Sequence, residues 1–368
     1  MVYSVPEFRR MSANYKHGLP DMLLLNIMAR LCRCVSRPDI IAFGRKHIRK
    51  LNSMGMCLKG IASEPTFSRV FKRIDDQVFA SLFAEFARKF IVTDDDGLKV
   101  VAVDGKCMRG TAQADGRCPD IVSAYSVEDG ITMGTEMCGE KSNEITAAPM
   151  LLESLDLSGV VVTSDAMLCQ KQIIDGIVEN NGHYIIEVKA NQKALRWSLE
   201  DRLLTAKPYD IYKQEPELKH GRIESRTCSA YHGADLVVDD SKWGAALTVV
   251  TRETRCISKK DGKESEEKRI YITDLQGSAK MLEAMSRSHW KIESMHWQLD
   301  YSMKQDYIRR KSPTAARNLD TIQRICLSMM AIWKKKRRKI KDRNASTTAI
   351  MRKCSLDISF LKRIMTLD

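Results

Sequence analysis

The stretch KSNEITAAPMLLESLDLSGVVVTSDAMLCQ, residues 141–170, holds side by side the two patterns that decide the fold class. Its first half offers Ser142 or Asn143 as a helix cap, followed by apolar residues at helical spacing. Its second half, GVVVTSDA at 159–166, is a short apolar run closed by turn residues, the pattern of a buried strand. Helix then strand, with Asp165 where the strand run finishes, sets the theme for the neighbouring sequence.

Outward from this stretch the theme repeats. Upstream, LKVVAVDGK (98–106), DIVSAYSV (120–127) and GITMGTEMC (130–138) read as strands; downstream, LCQKQIIDGIVEN (168–180) reads as a helix and HYIIEV (183–188) as a strand. Three strands, helix, strand, helix, strand is an α/β order with a mixed sheet flanked by helices. Residues 195–270 lose that rhythm. They are charged, with a strand region in SKWGAALTVVTRETRCI (241–257) and a polar turn in SKKDGKESEEK (258–268), and read as a β-containing insertion. Helical periodicity resumes near Ala279 and runs through SHWKIESMHWQLD (288–300); a last helix opens at Ser312-Pro313.

Ahead of the α/β region, Leu23, Leu24, Ile27, Met28 and Leu31 recur at helical spacing after Pro20. Further helices start at Ser36-Pro38 and Ser63-Pro65, and Phe79, Leu82, Phe83, Phe86 and Phe90 mark a fourth. The four could hold a helix-turn-helix, but the stretch from about 51 to 63 exceeds the 3–4-residue turn of that motif, and a plain helical bundle fits at least as well. The expected organisation is an all-helical N-terminal domain at 1–95 assigned to DNA binding, the first part of the α/β core at 96–194, an insertion region at 195–275, the rest of the core at 276–333 and a basic tail at 334–368.

The chain has 368 residues and a net charge of +13. Residues 334–343, KKKRRKIKDR, carry eight basic groups against one acid. Such a run is a solvated tail, a polyanion-binding segment whose affinity falls steeply with salt, or a nuclear-import signal. Eleven cysteines without a CxxC pair read as reduced thiols of a cytoplasmic protein. The N-terminus MVYSVPEFRR lacks an apolar signal core, and no run of 18 apolar residues occurs, which argues against secretion or membrane spanning.

Two strand runs end alike, VVAV in Asp104 and VVVTS in Asp165. Either each Asp caps the next element, or the pair sits on adjacent strand ends, where mutual repulsion invites a divalent cation. On one continuous helix Glu293 lies about 40° from His289 and about 60° from His296, with Asp300 continuing the column. That face fits a zinc hydrolase built on His289, His296 and Asp300, or histidines hydrogen-bonded beside a core, with Trp290 and Trp297 as packing.

DGKCMRG (104–110), the stretch at 141–170, YIIEVKANQ (184–192) and SHWKIESMHWQLD (288–300) together resemble the bacterial insertion-sequence transposases of the ISAs type, the group of H-repeat-associated proteins. EFRR (7–10) and TFSRVFKRID (66–75) are similar to that family's associated N-terminal domain. The resemblance implies an RNase H-like catalytic core with a DDE triad: Asp104, Asp165 and Glu293 as catalytic and metal-holding residues. It implies Mg²⁺ as cofactor, two ions with Mn²⁺ able to substitute, and double-stranded DNA as partner, both element ends and target. A dimer or larger assembly follows, since two ends must meet. Lys106, Arg109, Lys141, Asn143, Lys189, Asn191 and Gln192 are expected near phosphates, and Arg287, His289 and Trp297 near DNA ends. The chain departs from the family pattern at Ser294 in place of Asn, Gln305-Asp306 in place of Glu-Asp, Ala190 in place of Gly, and ASEPT at 62–66. A decayed or domesticated transposase that binds DNA without catalysis is the other reading of the resemblance.

Overall fold

The computed structural model describes residues 1–367 except 12–14, 57, 92–96, 112–116, 140–142, 220, 238–242 and 244. Helix α1 (Leu19–Leu31) has Pro20 in its first turn, where a missing N–H costs nothing. Helix α2 (Arg37–Ser53) starts with a reciprocal capping box between Ser36 and Asp39. Helix α3 (Glu64–Phe71) follows Ser63, and α4 (Asp76–Arg88) is capped by the Asp75 carboxylate, which accepts from the Gln77 and Val78 N–H groups. Then come β1 (Lys99–Cys107), β2 (Asp120–Ser126), β3 (Ile131–Met137), α5 (Glu144–Glu153), β4 (Val160–Ser164), α6 (Lys171–Glu179), β5 (His183–Val188) and α7 (Lys193–Arg202). After them β6 (Asp210–Lys219), β7 (Arg222–His232), the short α8 (Gly233–Leu236), β8 (Thr248–Ser258) and β9 (Glu264–Thr273) form the region of lost rhythm. The chain finishes with α9 (Ala279–Ser288), α10 (Trp290–Tyr301), α11 (Pro313–Lys335), α12 (Ile340–Arg343), α13 (Thr347–Leu356) and α14 (Ile358–Thr366).

The nine strands form a mixed sheet in the order β3-β2-β1-β4-β5-β9-β8-β7-β6. The fold is mixed α/β, as the strand and helix order predicts. Residues divide into two compact units, one of Met1–Asp94, Gly105–Lys141 and Glu293–Asp368, the other of Asp95–Asp104 and Ser142–Ile292.

In the first unit the hub is α11. Its residues from Ala315 to Met330 are all buried, polar ones included, so each polar group needs a partner. Arg324 donates to Asp320 at 2.7 Å with both side chains fully buried. Gln305 donates to Asp320 and Gln323, and Gln323 to the Met303 carbonyl. Asn318 donates to the carbonyls of Phe71 and Ile74 beyond the end of α3. The N-terminal helices thus pack on a C-terminal one, and α1 and α4 both lie against α11. The last thirty-odd residues hold more than a charged run. Ile350, Met351, Cys354, Phe360, Leu361 and Ile364 of α13 and α14 are buried, and Trp333 meets the Phe360 ring edge-on at 5.3 Å.

In the second unit β1, β4 and β5 run parallel, and β9 joins β5 antiparallel. The charged region is therefore a meander that extends the core's own sheet, with β9, β8, β7 and β6 antiparallel in turn. One of its strands, β8, opens at Thr248, while Ser241, Lys242 and Gly244 lie outside the described residues; the β6–β7 hairpin escapes sequence reading because IYKQEPELK scatters charged residues among its few apolar ones. Val161, Ile185, Cys228, Ala230, Val250, Tyr271 and Leu282 make one continuous core under α9. The described cysteines are all free. Among the described residues no helix is long and apolar enough to cross a membrane.

Candidate active site

Strands β1 and β4 pair in register up to Val103 opposite Ser164. The next residue of each is an aspartate, Asp104 and Asp165, so both acids follow the same rung of neighbouring parallel strands, which lie about 4.8 Å apart. Asp104 was expected to end its strand, but β1 runs on to Cys107. The segment keeps hydrogen bonding beyond that point, with the Met108 N–H donating to the Pro119 carbonyl at 2.9 Å. Asp165 does end its strand. It is half-buried and caps the short turn Ala166–Leu168, accepting from the Met167 N–H at 3.0 Å.

The loop after Asp165 is braced from β5's side of the sheet. Asn191 donates to the Ala166 carbonyl at 2.6 Å, and Gln192 to the Cys169 carbonyl at 2.8 Å and the Gln170 side chain at 3.2 Å. Expected as phosphate contacts, these two amides hold the turn that carries Asp165. Lys189 is exposed and pairs with Glu187 at 3.2 Å. Asn143 caps α5, its side-chain Oδ1 accepting from the Ile145 N–H; Lys141 lies outside the described residues.

Glu293 stands exposed in the first turn of α10. The helical stretch expected from Ala279 through 300 forms two elements, α9 and α10, that meet at His289, whose own backbone is helical at φ −50° and ψ −39°. The Ser286 and Ser288 hydroxyls donate back to the carbonyls of Glu283 and Met285, a local competition that bends helices. His289 is half-buried at the end of α9, and Arg287 reaches Glu283 at 3.7 Å. Trp290 and Trp297, expected as packing, are 49% and 58% exposed. Trp297 stacks on Tyr301 at 4.5 Å, while Trp290 receives Arg269 over its ring at 5.5 Å.

Lys106, expected near phosphate, is 7% exposed and held by Asp300 at 2.8 Å and Asp306 at 3.4 Å in the first unit. Burial raises the Asp300 carboxyl above its ordinary pKa, and Asp306 adds to that; Lys106 and His296 oppose it. Arg109 is exposed on the turn Arg109–Thr111.

Among the described residues no group of three or more His, Cys, Asp or Glu side chains is gathered as a metal cage. The zinc reading loses its third ligand to Lys106. The strand-end pair remains, and two carboxylates are hard oxygen donors that suit Mg²⁺ better than zinc.

The chain belongs to the DDE transposases. Residues 95–329 match the transposase DDE domain family model, and residues 2–87 match the model of its associated N-terminal region. Its relatives are the H repeat-associated kind. It is 30% identical to "H repeat-associated putative transposase YhhI" of Escherichia coli (strain K12), over 98% of this chain and 95% of that protein. It is 31% identical to "Putative transposase YncI" of Escherichia coli O157:H7, over 98% and 92%. Among solved structures, the piggyBac transposase synaptic complex with hairpin DNA superposes at a TM-score of 0.46 and 11% identity, covering 99% of this chain and 76% of that one, a likeness too slight to define the fold.

Sequence reading overlooked the cationic side chains Arg30, Arg309 and Arg310. For Arg30 a signal was present: Asn26 and Arg30 are the polar intruders, one helical turn apart, in the apolar run MLLLNIMARLC.

Proposed function

We propose that this chain is a DNA transposase that binds the terminal inverted repeats of an insertion sequence and cuts and joins DNA through Asp104, Asp165 and Glu293. The observation that carries the reading is that Asp104 and Asp165 each follow the last paired rung, Val103 opposite Ser164, of adjacent parallel strands, in a chain of the DDE family. The order of three strands, helix, strand, helix and strand supports an RNase H-like core interrupted by the β6–β9 meander. The first ninety residues serve DNA binding, and the assembly is a dimer or larger.

Asp104 and Asp165 would hold the metal, and Glu293 completes the acidic set. Bound Mg²⁺, or Mn²⁺ in its place, supplies the charge that activates water or a DNA 3′-hydroxyl and stabilises the leaving oxygen. Asp165 is kept in place by its own Met167 bond and by the Asn191 and Gln192 braces, so its carboxylate meets the cation already oriented. Exposed Trp297 and Tyr301 offer a stacking surface for a splayed base.

Supercoiled plasmid carrying the element ends, incubated with purified protein and Mg²⁺ or Mn²⁺, tests this. Wild type nicks and joins; Asp104→Ala, Asp165→Ala and Glu293→Ala each lose more than about 100-fold, since several kcal/mol of transition-state stabilisation go with the metal. Equal nicking by all three variants sinks the assignment. Salt-sensitive DNA binding by a wild type that never cleaves would favour a transposase descendant that only binds.

A further inference from the structure

The first unit contains a cavity of about 430 Å³ between α1, α2, α3, the Arg109–Thr111 turn, residues 309–312 and α11. That volume lies in the range of small-ligand sites. Phe67, Phe71, Leu319 and Ile322 supply apolar wall, and every charged side chain on the lining is a cation. Arg30, Arg37 and Lys72 come from the helices, while Arg109, Arg309, Arg310 and Lys311 come from the two turns.

Arg30 is only 3% exposed. Its Nε donates to Asn26 at 2.8 Å, and no carboxylate pairs with it among the described residues. Burial pulls its pKa down to about 10; burial does the same to Arg310, with Arg37 adding repulsion. Among the described residues Arg37 has the one carboxylate partner in the group, Glu64 at 3.6 Å, itself half-exposed. A buried guanidinium without a counter-charge is costly. The fold nonetheless fixes this arrangement firmly. The Arg310 N–H donates to the Gly110 carbonyl at 2.8 Å. A Cβ at Gly110 would fall 2.9 Å from the Ile308 carbonyl oxygen and 3.1 Å from those of Gln305 and Asp306, so only glycine lets the two arginine-bearing turns pack this closely.

We propose that this cavity is a binding site for a phosphate-class anion, a terminal phosphate or oligophosphate held by Arg30, Arg310 and Arg109. Guanidinium forks match phosphate oxygens bidentately, and an anion inside supplies the charge Arg30 lacks. The site is additional to the proposed catalytic one, since none of Asp104, Asp165 and Glu293 lines it. The shared chemistry has two sources, the phosphate of a nucleic-acid end or a free phosphate ester.

Thermal unfolding of the full chain, without metal and with sodium pyrophosphate replacing sodium chloride at constant ionic strength, tests the site. Wild-type Tm rises by about 3 °C or more at saturation. Arg30→Met starts from a higher Tm than wild type, because an unpaired buried charge is gone, and it loses the response. Arg109→Ala, at an exposed position that folding tolerates, and Arg310→Gln weaken the response at least about tenfold in pyrophosphate affinity, one bidentate contact each. No rise in wild type beyond that in chloride, or an undiminished response in Arg30→Met and Arg109→Ala, overturns the proposal. Calorimetric competition then separates the sources. Displacement of pyrophosphate by a 5′-phosphorylated duplex, and not by its dephosphorylated twin, supports a nucleic-acid end; displacement by neither supports a free phosphate ester.

Discussion

Three buried cations of the first unit show how differently one residue type is handled. Lys106 shares two acids, Asp300 and Asp306; Arg324 has Asp320, reinforced by Gln305; Arg30 has only an amide. Breaking a buried pair by removing one partner strands the other charge, so Asp320→Ala is expected to lose about 3–5 kcal/mol in urea unfolding. The double variant Arg324→Met, Asp320→Leu recovers most of that loss; a double variant as unstable as the single one would refute the pairing account. Near the N-terminus Glu7 is held by Arg9 at 2.7 Å and by the Tyr15 hydroxyl at 2.6 Å. Burial alone would raise its pKa, but the Arg9 and Tyr15 bonds win and lower it to about 2 from 4.5. The folded state therefore prefers ionised Glu7, and its contribution is complete above about pH 4.5 and gone once pH falls through about 2. Wild type should be more stable than Glu7→Gln at pH 6, with the two unfolding curves converging near pH 2. A constant difference over that range would place the effect in packing.

At the scale of elements, what the sequence made legible were starts and faces. Pro20, the Ser36 box and Ser312-Pro313 carry their own local hydrogen-bond logic, and the helices begin where they predict. The apolar runs at 98–106 and 159–166 mark strands because a strand buried on both faces must be apolar. Illegible were elements set by distant partners. The β6–β7 hairpin scatters charged residues among Ile211, Tyr212 and Leu218 and is held by a long ladder to β8 that no local pattern announces. The amides of Asn191 and Gln192 looked like phosphate ligands; their reach to the turn after Asp165 exists only once β4 and β5 are paired. We propose that they act as positioning groups. Asn191→Ala is expected to lower Mg²⁺-dependent nicking about 10–100-fold, the usual loss when a supporting hydrogen bond to a metal site is cut. Higher Mg²⁺ should restore part of the rate while Tm stays nearly unchanged. A rate loss independent of Mg²⁺ concentration would assign Asn191 to DNA and not to Asp165.

Over the whole molecule the charge of +13 is not a uniform field, and the structure separates basic groups that are spent internally from those that are available. In the run from 334 to 343, Lys335 pairs with buried Asp129, Lys336 donates to the Leu367 carbonyl at 2.8 Å, and Arg337 covers the Trp333 ring at 5.0 Å. Lys335 and Lys336 tie the end of α11 to its surroundings and Arg337 folds back on the helix, which is why the run is not merely a solvated tail. Arg338, Lys339 and Lys341 are exposed, with no ion pair recorded for them among the described residues. If the chain grips DNA through this segment, each of these three releases counterions, steepening the dependence of log affinity on log salt by about 0.9. Replacing all three by Gln should flatten the slope by about 2.7 in fluorescence-anisotropy titrations across a salt series, with urea stability unchanged. Replacing Lys335 and Lys336 instead should destabilise the chain and leave the slope nearly as it was. An unchanged slope in the first variant would move the DNA contact elsewhere on the surface, and a slope altered equally by both would show that internal pairing does not withhold those lysines from DNA.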